Sequence, residues 1–334
     1  METTLVELPV GADAVGDVTL QAEDTARLIA VLSESLSLNT HRNYDSAMRR
    51  YRGWCAEAER GYTDLFSPVV VAKYLAFLSR DHKQSSVDMA LAAILDSNPG
   101  QRNLLRDNVG VQTTMRGVRR GQRGKEQKRA RMLSKLEIRT MLSAVSRDSN
   151  ETRAARDLVV LVLGLCLGCR ASELCSLRAA DFSPVDGKGY DVKIRCSKTS
   201  DSSVTIALPL GGETDACDAI RTWLSLLEKH LGAQDPELFL LRSVTKGGGI
   251  GSGVTALQPS CITDILRRIC RQAGSVDLAG ISSHTLRASY CSGALLAGFD
   301  ASAVARSRWK NTAMVTRYDR RGRWENVSGS WLAL

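Results

Sequence analysis

Histidine is scarce: only His41, His82, His230 and His284 occur among 334 residues, and no second Cys-x-x-Cys accompanies Cys166-x-x-Cys169. A structural zinc needs four clustered nitrogen or sulfur ligands, so no metal is expected. Nine cysteines, an odd count, are scattered along the chain rather than spaced as a framework. They read as small buried hydrophobes in a reducing compartment. The longest apolar run, near Leu158–Leu167, is far short of the ~20 residues that span a bilayer. No basic stretch precedes an apolar core at the start, so no secretory signal is read and a cytoplasmic location without a membrane partner is expected. The glycines of Lys246–Gly253 lack the spacing and the helix start of a phosphate-binding fingerprint, which excludes a nucleotide cofactor. The first 130 residues show no alternating strand pattern, and no repeat recurs at a fixed period.

What is abundant is positive charge. The net charge is +9 and the isoelectric point near 9.2, which favours an anionic partner. Residues 1–19 carry Glu2, Glu7, Asp13 and Asp17 but no Lys or Arg, whereas 116–131 hold eight basic residues against the single acid Glu126. Such a run is a solvated linker that would be drawn to phosphates if the flanking domains sit on nucleic acid. Both presumed domains are basic, so the partner is expected to touch both.

The pattern predicts a flexible tail over 1–19, an all-helical domain over 20–118, a basic linker over 119–133, a mixed, mainly helical domain over 134–322 and a C-terminal tail over 323–334. In the first domain Leu28, Ile29, Leu32 and Leu36 form one stripe. A longer helix follows Asn39-Thr40, with Tyr44, Met48, Tyr51 and Trp54 inward and Arg42, Arg49, Arg50 and Arg52 outward. Further helices are read from Pro68, over Ser86–Leu95 and from Asn103 to Val118. The second domain opens on a capping box, Ser134 to Glu137. A helix runs to Val145, and a buried one, apolar most of the way round, covers Arg153–Leu167. Gly168 then turns the chain sharply. Tyr190–Cys196 and Val204–Leu208 alternate as the strands of a small antiparallel sheet, with Lys198 in the polar turn between them. Helices are read at Thr214–His230, Pro259–Gln272 and from His284 to Gly298, with a short extended piece at Glu237–Leu241 and a mobile loop at Lys246–Gly253.

Chemistry concentrates late in the chain. His284 and Arg287, three apart, share one helical face, and Trp309 and Tyr318 follow. Arg170 emerges directly after the buried helix, with Glu173 three residues on and able to orient it. Singly, each has an ordinary explanation: a surface Arg–Glu pair, an exposed turn lysine, a core tyrosine. Together the histidine, arginines, indole and phenol are hydrogen-bond donors suited to an anionic centre such as a phosphate.

In chain order the series reads Arg170-x-x-Glu173, Lys198 in a hairpin, His284-x-x-Arg287, Trp309, Tyr318. It resembles the tyrosine recombinases, the phage integrase family. Trp309 stands 22 residues after Arg287 and nine before Tyr318, as that family's pattern has it. Many members carry histidine where this chain has Trp309, and tryptophan there is similar to the Cre recombinase type. The helical first half resembles the family's core-binding domain. The resemblance implies a site-specific recombinase working through a 3′-phosphotyrosyl link, with no metal or ATP. Its partner would be double-stranded DNA carrying a specific recombination site, and its working unit a homotetramer on two such sites. Tyr318 would be the nucleophile, Arg170 and Arg287 the phosphate clamps, His284 a proton acceptor or a phosphate-oxygen ligand, Lys198 the acid for the leaving 5′-hydroxyl, Trp309 a hydrogen-bond donor and Glu173 an orienting group. Arg42, Arg49, Arg50, Arg119, Arg120, Arg123 and Lys125 are the candidate DNA-binding cations. A type IB topoisomerase would use almost the same catalytic set, and a non-enzymatic DNA-binding architectural protein could keep the fold.

Overall fold

The computed structural model describes residues 27, 38–57, 62, 64–122, 130–195, 203–211, 215–274, 276–309 and 311–319. The chain divides into two compact units, Met1–Gln127 and Lys128–Leu334. The tail expected over 1–19, the stripe Leu28–Leu36, Arg123, Lys125, Lys198 and the tail from 323 lie outside the described residues.

The described elements of unit one are all helical: α1 (Leu38–Ala56), α2 (Pro68–Leu78), α3 (Gln84–Ser97), α4 (Arg102–Asp107) and α5 (Val109–Gly121), with one turn of 3-10 helix at Pro99–Gln101. Pro68 opens α2 at a position where its missing N–H costs nothing. The helix expected over Asn103–Val118 is two helices, broken at Asn108. Its side-chain oxygen accepts from the amides of Gly110 and Val111 at 2.9 and 3.2 Å, a cap that starts a new helix rather than continuing the old one. The α5 helix runs on to Gly121, so Arg119 and Arg120, expected in the linker, stand on its last turn. The core is Tyr51, Trp54, Tyr74, Leu75, Val87, Ile94, Leu105 and Met115, all buried. Each fully buried apolar side chain of this kind contributes about 1.5–3 kcal/mol.

Unit two is built on α7 (Glu151–Leu167), which packs against α6 (Lys135–Ser146), α9 (Ala216–Leu231) and α11 (His284–Leu296). The expected capping box opens α6: Ser134 Oγ accepts from the Glu137 amide at 3.2 Å, and Glu137 accepts from the Ser134 amide at 2.8 Å. Along α7, Val159, Val160, Leu161 and Leu163 are fully buried. The helix is not apolar all round, because Arg156 and Asp157 are buried too. They are tolerated because Arg156 Nε donates to Asp157 at 2.7 Å, and Arg268, on α10 (Pro259–Ala273), donates to the other carboxylate oxygen.

After α8 (Ala171–Cys175) comes a three-stranded antiparallel sheet in the order β1 (Phe182–Val185), β2 (Gly189–Ile194), β3 (Val204–Pro209). Val192 pairs with Phe182 on one side and Ile206 on the other. Val192, Ile194 and Leu208 face the core while Asp191 and Lys193 are exposed, the alternation of a sheet with one covered face. The β1 strand was hidden in the sequence by Pro184, which an edge strand can hold. Strand β2 ends at Ile194, short of Cys196, and the extended piece at 237–241 amounts to an isolated bridge between Arg178 and Phe239. The glycine loop, expected to be mobile, closes on itself: Val244 bridges Ile250, the Thr245 amide donates to Gly249 at 2.9 Å, and Asn150 donates to the Lys246 carbonyl at 3.1 Å. The last elements, α12 (Ala301–Arg308) and α13 (Thr312–Thr316), pack with α11 around Cys291, Leu295, Val304, Trp309 and Val315.

Among the described residues no helix is long and apolar enough to cross a membrane. No group of three metal-binding side chains occurs among them either, and the eight described cysteines are free thiols.

Candidate active site

The turn after α7 sets the first part of the site. Gly168 ends the helix in the left-handed region, with φ at 57°, a conformation that costs any residue with a Cβ about 1–2 kcal/mol. Two residues later Arg170 caps α8 without burying its charge. Glu173, buried, receives the Arg170 backbone amide at 2.7 Å on one oxygen and Nη1 at 2.6 Å on the other. The carboxylate thus fixes both the path of the chain and the direction of the guanidinium. This is more than the exposed pair that sequence spacing alone suggests, because burial strips the solvent that would screen it.

Arg287 lies on the face of α11 turned toward that turn. It is buried, and its Nη1 donates to the Gly168 carbonyl at 2.5 Å. The two candidate clamps are therefore tied to one piece of backbone. The close approach of α11 to α7 depends on Gly164, where an added Cβ would sit 3.1 Å from both Cβ and Cγ of Leu286, the neighbour of Arg287. His284 stands at the first position of α11 and is exposed. The start of the helix is held by the Ser282 amide donating to Thr285 Oγ1 at 3.0 Å and the Ser283 amide donating to Thr263 Oγ1 at 2.9 Å. Its end is set by Gly298, as expected, with φ at 90° and the Phe299 amide reaching back to Ala294 at 3.1 Å.

Trp309 follows α12 and is buried, with its indole plane under the Arg287 guanidinium at 3.9 Å from the ring centroid. Such contacts contribute about 0.5–2 kcal/mol, more as water is excluded. Tyr318 meets the same indole edge-on, with centroids 6.4 Å apart and planes at 71°. Asn311 caps α13 by accepting from the Met314 amide at 3.0 Å. One turn beyond, the Tyr318 amide donates to Val315 at 2.8 Å and its carbonyl accepts from Ser292 on α11 at 2.7 Å. The phenol is half-buried on the α11 face. Below it, burial pushes the Cys291 thiol up to about 11, so it is neutral at physiological pH.

Arg170, Glu173, Arg287, Trp309 and Tyr318 are thus linked by direct contacts or through the Gly168 turn, while His284 joins them by its place on α11. Lys198 lies outside the described residues. The strand leading toward it is anchored at Arg195, whose Nε donates to buried Asp181 at 2.7 Å and whose Nη2 reaches Glu237 at 3.0 Å. Of the candidate DNA-binding cations, Arg42, Arg49, Arg50, Arg119 and Arg120 are exposed on α1 and α5 of unit one. Arg119 pairs with Asp88 at 3.2 Å, a weak surface contact. Sequence reasoning missed the Asp181–Arg195–Glu237 anchor. It read Tyr290 only as part of the apolar stripe of the His284 helix and as the alternative nucleophile to Tyr318, not as a neighbour of Trp309. The helical period puts Tyr290 three residues after Arg287 and on its face, but it carries no signal for the contact with Trp309.

The sequence profile described as the phage integrase family matches residues 131–322, more than half of the chain. The chain belongs to the phage integrase family. No curated protein matches it by sequence. Among solved structures, the likeness to integrase-type proteins extends over both units. The XerH site-specific recombinase bound to palindromic difH substrate is 14% identical with a TM-score of 0.59, over 87% of this chain and 79% of that one. The Tn1549 transposon integrase in complex with a circular intermediate DNA gives 13% identity and a TM-score of 0.59, over 92% and 98%. A lambda integrase dimer bound to a core site gives 19% and 0.53, over 90% and 95%. At such identities the likeness is one of fold: a helical N-terminal region followed by a mixed α/β domain. It is the two-domain architecture of the tyrosine recombinases, and this integrase-family chain carries its candidate catalytic residues on the second, mixed unit.

Proposed function

We propose that the chain is a site-specific DNA recombinase that cleaves and rejoins strands through a 3′-phosphotyrosyl intermediate, with Tyr318 as nucleophile. The observation that carries this reading is the Trp309 indole, under the Arg287 guanidinium at 3.9 Å and met edge-on by the Tyr318 ring at 6.4 Å. One rigid plate keeps a phosphate-binding cation beside a phenol.

The phenol oxygen attacks phosphorus, the bond to the 5′ oxygen breaks, and the transition state spreads negative charge over the non-bridging oxygens. Arg170 and Arg287 neutralise that charge. A free phenol with a pKa of about 10 is a poor nucleophile at neutral pH, so its proton leaves as the bond forms, to His284. Lys198 protonates the departing 5′ oxygen. Glu173 holds Arg170 in place, and Trp309 offers an N–H donor that needs no titration. Phosphotyrosyl and phosphodiester bonds are close in energy, so a 5′-hydroxyl reverses the step without an energy source.

The Tn1549 integrase is seen with a circular intermediate DNA and the XerH recombinase with its difH substrate. Both support duplex DNA as the partner here, gripped by Arg42, Arg49, Arg50, Arg119, Arg120, Arg123 and Lys125. Tryptophan at 309 favours the Cre type within the family. We place four protomers on two sites, with Trp331, Leu332 and Leu334 of the C-terminal tail packed on a neighbour. The test is Tyr318→Phe on the DNA flanking the gene. DNA binding persists and covalent adducts vanish from a denaturing gel; adducts that still form with Phe at 318 refute the assignment. Relaxation of plasmid by a monomer, without recombinant product, would instead indicate a type IB topoisomerase.

A further inference from the structure

Four groups close a ring around the candidate site. Gly168 gives its carbonyl to Arg287 at 2.5 Å, and Arg287 lies over Trp309 at 3.9 Å. Trp309 is parallel to Tyr290, with planes within 8° and centroids 6.0 Å apart. Tyr290 returns to Gly168, since a Cβ there would stand 2.5 Å from Cδ1 and 2.9 Å from Cγ of its ring. The circuit starts and ends at the turn that presents Arg170.

The other neighbours of Trp309 offer no second parallel ring among the described residues. The residue follows α12 and is tied to that helix by its amide, which donates to Ala305 at 3.0 Å, and by packing with Val304 and Ala305. The fully buried members of its cluster are aliphatic or small (Cys291, Leu295, Val304, Ala305 and Val315), and Tyr318 meets the indole only edge-on. Tyr290 is the flat surface parallel to the indole, and it rises from the same helical face as Arg287. A planar neighbour three residues along therefore sets the tilt of the indole that meets both Arg287 and Tyr318.

From this geometry we infer that Tyr290 is a positioning residue for strand cleavage, acting through Trp309 to hold Arg287 and Tyr318 in register. The inference rests on the recombinase reading above. In this role Tyr290 acts on the indole and not on the phosphate or the leaving group. Its ring, rather than its hydroxyl, does the positioning, because the stacked face is what meets the indole. Misplacing reacting groups by about 1 Å costs up to a hundredfold in rate, and a plate that can tilt displaces two of them together.

The experiment is single-turnover formation of the covalent adduct on a DNA duplex that the unaltered protein cleaves, with DNA affinity measured in parallel. Tyr290→Phe keeps the ring and is expected to cleave within about twofold of the unaltered protein. Tyr290→Met fills similar space without a plane and should lose roughly ten- to a hundredfold in cleavage rate at nearly unchanged affinity. In a Trp309→Leu background the same Tyr290→Met change should add less than about twofold, since the group it acts through is gone. A multiplicative loss in that background would overturn the inference, as would a Met variant that cleaves normally. Rate and affinity falling together in both Tyr290→Met and Tyr290→Leu would also overturn it, leaving a packing role alone. The recombinase reading fails separately: Tyr318→Phe would still give adducts, whatever the Tyr290 variants do.

Discussion

Gly168→Ala gives the sharpest test of the turn that joins the two arginines. Two costs add. The left-handed conformation at φ 57° costs an alanine about 1–2 kcal/mol. The new Cβ would also come within 2.5, 2.9 and 3.0 Å of three Tyr290 ring carbons. That ring cannot turn away freely, because it is parallel to Trp309 at 6.0 Å, and overpacking of this kind costs about 1–3 kcal/mol. Alanine recovers roughly 0.4–1 kcal/mol by restricting the unfolded chain. The net loss is about 1–4.6 kcal/mol, which for a domain of this size lowers the unfolding midpoint by roughly 2–18 °C. Scanning calorimetry of the full chain reads it as a shift of the transition of unit two. Gly168→Asn separates the terms, since Asn accepts the left-handed region but still carries a Cβ. If Asn is as harmful as Ala, the collision with Tyr290 dominates. A midpoint for Gly168→Ala unchanged within 1 °C or so would refute the reasoning, by showing that Tyr290 yields at no cost.

Lys198→Ala should slow cleavage of an ordinary phosphodiester, and a 5′-bridging sulfur, whose thiolate leaves unprotonated, should restore most of the rate; equal defects on both substrates would exclude the acid role. Replacing Arg119, Arg120, Arg123 and Lys125 together by Ala should weaken DNA binding and flatten the plot of log affinity against log salt, by about 0.9 for each phosphate no longer neutralised, whereas an unchanged slope would make the run a solvated tether. Hydrogen bonding from Arg153 holds the Asp148 carboxyl well below the usual carboxylate range. A carboxyl depressed on folding contributes stability that is complete above its unfolded pKa, about 3.9, and is lost as pH falls toward the folded value. Urea titrations between neutral pH and about pH 2 should therefore show an acid limb that Asp148→Asn flattens, and an identical limb in the variant would remove Asp148 as its source.

Much of this protein was legible along the chain because helices announce themselves locally. The inward Tyr51 and Trp54, the box from Ser134 to Glu137 and Gly298 at the end of α11 are all short-range patterns, and each was found where the sequence puts it. The cap at Asn108 was equally local but was overlooked, because the apolar stripe runs through it. Strand β1 was not legible in the same way, since a four-residue edge strand holding Pro184 depends on β2 for its hydrogen bonds.

For the site, the order Arg170, Glu173, His284, Arg287, Trp309, Tyr318 was readable, since spacing of chemical types survives without coordinates. What the sequence could not state is which groups meet. Arg287 finds the Gly168 carbonyl across 119 residues, and Tyr290 finds Trp309 because two helices and a turn bring them into parallel contact. Those meetings rest on α11 lying against α7 at Gly164. Local propensity determines that each helix exists, but only close packing of distant segments determines what its faces touch.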